Sequence, residues 1–555
     1  MAEESSEVQS NQEIFHAHEP NDEEINRPTS NAGDVSMKME STRETSRPYS
    51  TLEHKPSRGE IWVWYVYELC SYFVHIALIP IVFSLIIGKI VDLPSEPPRG
   101  WNTNAKGLTC RIHEMQLYER LTRRSISVGN SKVSPLEWTS ISWAIGLVLA
   151  SPALRFISTN LDHGQNQQAI SGAATAIGAF FCLPVGFFKV TWIFPLYIAM
   201  IAVAITIATA SHTRHYGLMI RGFVGPNLQR QQFPIRRGVS SQLSLFATVF
   251  GSLGTALIVA FVYYMLRIDN IFIGLWVVCI FSGLMWLAGI VHIITLRPGA
   301  TLTFPLPKDH FLSIFKSHHG VGSLIVVGLS SFTSMCIFTG GVLYLVGELC
   351  LKPVFLLYFW LIYFVSPSIS LPLVQPVQLL LKADAVKMHL LGLVLSLVTS
   401  GVGFQFREDN WQRHHIFIFA ALQSTSTGLM HTFARVLVMD CSPAGKEGTF
   451  AMWFSWVKMV GTCLGFAVAS GAAAGNVGTS FGIAFCTAAV AMVVSIYGNI
   501  SDVAGAVAAG TSGEEGESNG LDNRNSIKND ENENAKKEPA LPVGEEAAEE
   551  GEKDQ

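Results

Sequence analysis

The sequence predicts an all-α membrane protein of twelve transmembrane helices in two six-helix halves, flanked by disordered cytosolic tails. Three observations predict it. Hydrophobic residues make up 49% of the 555-residue chain and charged residues only 15%, well below the roughly 25% charged residues of an ordinary soluble domain; the mean hydropathy is +0.33. Apolar stretches run to about 20 residues, the length of a bilayer-crossing helix, instead of alternating over about 10 as barrel strands do. These stretches recur from residue 62 to residue 498, and both ends of the chain beyond them are polar.

Residues 1–58 are rich in Glu, Ser, Asn and Thr and lack the apolar core of a signal peptide, so they read as a disordered tail kept in the cytosol. Spans follow at 62–91, 136–157, 168–188, 191–210, 241–266 and 271–296, then at 323–349, 354–378, 387–406, 415–438, 449–474 and 480–498. The eighth contains SPSISLPLVQPVQ, and its three prolines are able to break the helix or end it early. Residues 59–296 form the first half, with a long non-cytosolic loop at 92–135; 297–322 form a central cytosolic loop and 323–500 the second half. The acidic tail 501–555 cannot bury enough apolar surface to offset its ordering entropy and reads as disordered.

Lys and Arg set the orientation. Loops expected inside hold Arg155, the group Arg214, Arg221, Arg230, Arg236 and Arg237, then Arg297, Lys308, Lys316, Lys382, Lys387 and Lys446; those outside hold Lys189, Arg267, Lys352, Arg407 and Arg413. The bias places both tails in the cytosol, against one contrary signal from the basic loop 92–135. An N-x-S site at Asn499 then lies on the cytosolic side and is not expected to carry a glycan.

Nine cysteines show no metal-ligand spacing. Cys70, Cys182, Cys279, Cys336, Cys463 and Cys486 lie in apolar segments and read as small hydrophobes; Cys110 and Cys350 share the non-cytosolic side, where they either pair or remain free. His318 and His319 have no further ligand at metal spacing and read as surface histidines. Walker A, GxSxG and HExxH motifs are absent. No cofactor, metal or nucleic-acid partner is expected, nor an enzyme.

Twelve spans, two inside tails and a central loop resemble the layout of the major facilitator superfamily, whose halves hold solute near the midplane. That superfamily carries a Gly-x-x-x-Asp-basic-x-Gly-basic-basic gate motif after its second span. Here the stretch reads SPALRFISTNLDHGQNQQAISG: Asp162 and Gly164 match, while His163, Gln165 and Asn166 stand elsewhere in the run. Asp162 as a gate lock then needs a cationic partner from outside the motif, and Arg155 is the nearest candidate.

Three further stretches resemble the autophagy-related vacuolar effluxer family, associated with amino-acid export from vacuoles. They are WYVYELCSYFV with Glu68 at the acidic position, RRGVSSQLSLFATVFGSLG with Gly251 and Gly254, and SPAGKEGTFAMWFSWVKMVG with Pro443, Gly445, Glu447 and Phe450. The resemblance covers residues 60 to about 500. It implies a secondary transporter working by alternating access on amino acids or another small polar metabolite. The implied location is an endomembrane, the vacuolar membrane foremost. A different solute at the plasma membrane is the alternative within transport; a non-transporting sensor or scaffold acting through the tails is the alternative outside it.

Charge inside the spans singles out candidate residues, since an ionised group at a helix centre costs at least about 2.5 kcal/mol. Tyr65, Glu68, Tyr72 and His75 step by 3, 4 and 3 and share one face of the first span. Glu68 is expected to exchange a proton or meet a cationic group on the solute, or else to hydrogen-bond a neighbouring helix near the cytosolic entrance. His75 is a second candidate or a core histidine. Lys458 in the eleventh span neutralises Glu68 or a solute carboxylate, or snorkels to the interface.

In the tenth span Gln423, Thr427 and His431 follow at intervals of four, with Arg435 one turn further, as a polar path or as interhelical glue. The seventh offers Ser330, Ser334, Tyr344, a Gly340-Gly341 pair able to unwind and a solvated Glu348; the eighth offers Tyr358, Trp360 and Tyr363 as interface anchors. Gly461, Gly465, Gly471 and Gly475 read as close helix packing.

Overall fold

The computed structural model describes residues 54–104, 106–224, 233–268, 270–297, 310–407, 411–443, 445–473, 476–498 and 500. The expected acidic tail, most of the N-terminal tail and central loop, Gly475 and Asn499 lie outside the described residues.

Among the described residues the chain forms twelve long helices. The first half holds α1 (Arg58–Ile90), α2 (Pro135–His163), α3 (Gln167–Cys182), α4 (Phe194–Val224), α5 (Phe233–Met265) and α6 (Ile271–Ala288). The second holds α7 (His318–Gly347), α8 (Pro353–Leu380), α9 (Ala385–Gln405), α10 (Arg413–Asp440), α11 (Glu447–Ala473) and α12 (Gly478–Tyr497). Eleven of them are long and apolar enough to cross a membrane; α10, although 28 residues long, is not among the eleven. Side chains such as Phe156, Ile294 and Leu380, 72%, 79% and 82% exposed, lie on the outer surface, where a lipid belt suits them.

Local chemistry sets the ends. Ser57 caps α1 by accepting from Glu60 N at 3.1 Å while the Glu60 carboxylate accepts from Ser57 N, and Ser134 and Glu137 repeat this capping box at α2. The middle of α1, Val74–Phe83, is π-helical and contains Pro80.

Two expectations of broken helices need correction. The prolines of α8, Pro367, Pro372 and Pro376, lie inside one continuous helix. A proline frees the carbonyl four residues earlier; for Pro367 that is Tyr363, whose carbonyl accepts from Ser424 Oγ of α10, so the neighbouring helix restores the lost bond. Gly340-Gly341 likewise does not unwind, because α7 runs through it and Gly340 packs against Ser480 of α12.

The halves meet where α2 and α4 pack on α11 and α5 packs on α8 and α10. Close approaches depend on glycine. A Cβ on Gly461 or Gly465 would strike the α7 backbone at Gly328 or Phe332, and one on Gly254 would strike Leu69 O of α1. Gly471 has nothing within 4 Å, so close packing does not extend to it.

The loop after α1 contains a short helix, Ile112–Thr122, and a hairpin of β1 (Ile126–Val128) and β2 (Ser131–Val133). Cys110 and Cys350 are paired, Cα atoms 5.4 Å apart, which ties this loop to the α7–α8 connection. Beside the disulfide Lys106 Nζ lies 3.4 Å from Glu348, so Glu348 is half-buried and paired, not solvated. Burial alone would lower the Lys106 pKa, but the Tyr344 hydroxyl and the Glu348 carboxylate hold it above its ordinary value.

Candidate functional site

Helical spacing brings the α1 stripe inward as expected: Tyr65, Glu68, Tyr72 and His75 are all buried. Glu68 is the hub of a cluster joining the two halves. Its Oε1 lies 2.5 Å from an Arg435 guanidinium nitrogen on α10, its Oε2 lies 2.9 Å from His212 Nε2 on α4, and His431 Nε2 approaches Oε1 at 3.6 Å. Arg435 also reaches His431 at 3.2 Å and stands 5.6 Å from the ring of Trp64. Trp64 stacks on His212 at 4.6 Å and donates to the His212 carbonyl at 3.1 Å, fixing that ring. The cation facing Glu68 is thus Arg435, not Lys458.

Lys458 takes a different place. It is 5% exposed, too deep to snorkel, and its Nζ lies 5.4 Å from the centroid of the Tyr72 ring. Among the described residues it has no ion-pair partner within 4 Å. It lines a cavity of about 60 Å³ between the halves, together with Tyr72, Ser330, Ser334, Thr427 and His431. His75 touches Tyr72 edge to face at 5.0 Å, and neither of its ring nitrogens has a hydrogen-bond partner among the described residues.

A second cavity of about 90 Å³ is lined by Tyr344, Phe359, Thr399, Trp411 and Gln423. Phe338 and Tyr363, rings 5.1 Å apart, line both cavities and form the wall between them. Tyr363 and Trp360 are therefore interior residues, and among the three expected anchors only Tyr358 is well exposed. Tyr363 shares a 3.2 Å hydrogen bond with Thr427. Gln423 accepts from Thr399 of α9 at 2.5 Å and donates to Thr427 at 3.4 Å, acting as glue and as cavity wall at once.

The Asp162–Gly164 run lies at the end of α2. Asp162 accepts from Gly448 N at 2.5 Å, Thr449 N at 3.0 Å and Thr449 Oγ1 at 2.8 Å, the N-terminus of α11. A carboxylate suits that position because unsatisfied N–H groups and the helix dipole both favour negative charge. Arg155 is exposed on α2, and Gly164 follows as the α2 C-cap.

Three ion pairs join the halves at the same end: Arg221 with Glu447 at 3.0 Å, Arg236 with Asp440 at 3.0 Å and Arg237 with Asp384 at 2.6 Å. The SPAGKEGTF stretch supplies Glu447 to one of these pairs and Gly448 and Thr449 to Asp162, and Gly445 turns it with φ +74°.

Sequence reasoning missed His212 as a site residue and Arg435 as the partner of Glu68. Arg435 continues the four-residue spacing from His431, a visible signal. His212 sits in a basic run counted as loop charge, and only the length of α4 carries it inside.

No family model matches the chain, and no curated protein sequence matches it. Among solved structures it is similar to the human organic anion transporter MFSD10 (TETRAN), 12% identical with a TM-score of 0.52, over 80% of this chain and 100% of that one. It is also similar to FucP, a Major Facilitator Superfamily transporter in the outward conformation, 12% identical with a TM-score of 0.46, over 79% of this chain and 99% of that one. The likeness to MFSD10 shows that the chain has the major facilitator fold.

Proposed function

We propose that the chain is a secondary transporter working by alternating access, which moves a small carboxylate-bearing metabolite, an amino acid foremost, across an endomembrane. The observation that carries the reading is the cavity between the halves, with Lys458 in its wall lacking an anionic partner among the described residues. A buried ammonium is costly unless an anion compensates it, and a solute carboxylate supplies one. Serine, threonine and tyrosine hydroxyls in the same wall offer the remaining hydrogen bonds. The amino-acid and endomembrane parts rest on the resemblance of the three stretches to vacuolar effluxers.

Glu68 supplies the coupling. Ionised, it ties α1 to Arg435 across the halves; protonated, it loses the charge that holds this tie. Proton uptake and release by Glu68 thereby bias the halves toward parting or meeting, which alternating access requires. Within α10, Gln423, Ser424, Ser426, Thr432 and Arg435 are buried, while Arg413, His414 and His415 at its start are exposed. That accounts for its low hydropathy while its 28 residues suffice to span, so α10 is read as the twelfth crossing.

The test is uptake of a labelled amino-acid panel into proteoliposomes under an imposed pH gradient. Saturable gradient-driven flux, lost in Glu68→Gln and shifted to higher KM in Lys458→Met, is expected. Folded protein with no amino-acid flux overturns the solute, and undiminished gradient-driven flux in Glu68→Gln overturns the coupling role.

A further inference from the structure

Behind Glu68, away from the cavity, the first half buries three histidines: His212 and His215 on α4 and His292 just beyond α6, each 1% exposed or less. His212 and His215 are three residues apart and share a helix face. Each presents Nε2 to a carboxylate, His212 to Glu68 at 2.9 Å and His215 to Glu60 at 2.8 Å. His292 lies between them, its ring centroid 5.1 Å from each of theirs. Tyr67 closes the group at 4.8 Å from His212 and 4.9 Å from His292.

The polar atoms of this group are unusually bare. Nδ1 of His212, Nδ1 of His215, both ring nitrogens of His292, the Tyr67 hydroxyl, Thr175 Oγ1 and Trp286 Nε1 are buried without a hydrogen-bond partner among the described residues. The Tyr67 hydroxyl lies within reach of the Thr175 hydroxyl and the Trp286 N–H, although neither contact closes to a hydrogen bond. A dry interior would bear the desolvation cost of every one of these groups, and internal water is the ordinary remedy where several polar partners converge.

We propose that His212, His292 and His215 form a water-bridged proton path through the first half, running from Glu68, which lies behind His431 of the cavity wall, to Glu60 in the first turn of α1. Its ligands are water and the proton. It rests on the reading of Glu68 as the proton-exchanging group. A proton leaving the Glu68 carboxyl binds one nitrogen of His212 while another departs from the opposite nitrogen to a bridging water. His292 and His215 repeat the exchange, and the proton reaches the Glu60 carboxylate; no electrons change hands.

The charged and titratable groups facing the path are Glu68, Glu60 and Tyr67 from α1, Arg214 from α4, Arg435 and His431 from α10, and Arg297 after α6. Arg297 lies 2.8 Å from Glu60 and holds the far carboxylate in place.

Two experiments test this. Hydroxyl-radical footprinting of the folded wild type in nanodiscs detects internal water: Tyr67 and Trp286 are expected to label about tenfold faster than the equally buried Phe83 and Phe194, after correction for intrinsic reactivity. Equal labelling overturns the path. In proteoliposomes, His292→Phe is expected to lose pH-driven accumulation while solute exchange at equal pH persists, and accumulation at the wild-type level overturns the path. Absence of exchange in the wild type would instead count against the transport reading, and the labelling would still decide the water.

Discussion

Replacing Glu68 with Gln leaves Arg435, 1% exposed, without the carboxylate that balances it. Removing one partner of a buried pair costs about 3–5 kcal/mol. The two single substitutions are not equivalent. A stranded guanidinium cannot shed its proton, whereas Arg435→Gln leaves a carboxylate that keeps His212 at 2.9 Å and can itself take a proton. Glu68→Gln is therefore expected near the upper end, about 4–5 kcal/mol, and Arg435→Gln near the lower end, about 3 kcal/mol. The double substitution removes both charges and is expected to cost about 2–3 kcal/mol less than the sum. Reversible unfolding in mixed micelles, run as a double-mutant cycle, measures all three. Single costs under about 1 kcal/mol, or additivity within about 0.5 kcal/mol, would refute the pair as the tie between halves.

Glycine contacts make a contrast: Gly254→Ala drives a Cβ into the Leu69 carbonyl and should destabilise by about 1–3 kcal/mol or more. Gly471→Ala, meeting nothing, should be neutral or stabilising by up to about 1 kcal/mol; thermal stability in detergent separates them. Cleavage at a protease site inserted between residues 298 and 309 should leave the halves joined on a non-reducing gel and separate on a reducing one, because Cys110 and Cys350 bridge them; separation without reductant would refute the bridge. Asp162→Asn weakens the anchor on the α11 N-terminus and should cost about 1–2 kcal/mol, read by the same unfolding assay. The raised pKa of Lys106 means its contribution is fully present below the unfolded value of 10.5 and fades only as pH rises through the higher folded value. The stability gap between wild type and Lys106→Met should therefore be flat from about pH 6 to 9.

The spans were legible because a bilayer imposes a length that apolar windows reveal directly. The inward face of α1 was legible for a similar reason, since the steps between Tyr65, Glu68, Tyr72 and His75 follow helical geometry. Partners were not. Glu68 and Arg435 are 367 residues apart, and nothing local to either names the other. Asp162 was read as needing a cation from outside the motif; its ligands include two backbone N–H groups of α11, which have no residue signature, beside the Thr449 hydroxyl. The prolines of α8 misled because the donor compensating Pro367 comes from Ser424 on another helix.

The π-helical stretch of α1, Val74–Phe83, has a consequence for how this gene can change length. Wider π turns hold more residues than the α turns on either side, so the stretch is a store of surplus chain within a packed helix. Insertions and deletions are ordinarily ruinous in a membrane span, because one residue turns everything beyond it by about 100°. Here a single deletion could be absorbed by local conversion to α-helix, but only with a rotation between the segment bearing Glu68 and the segment after Phe83. Length variation in this span would thus re-aim the carboxylate and, with it, Tyr72 of the cavity wall four residues on.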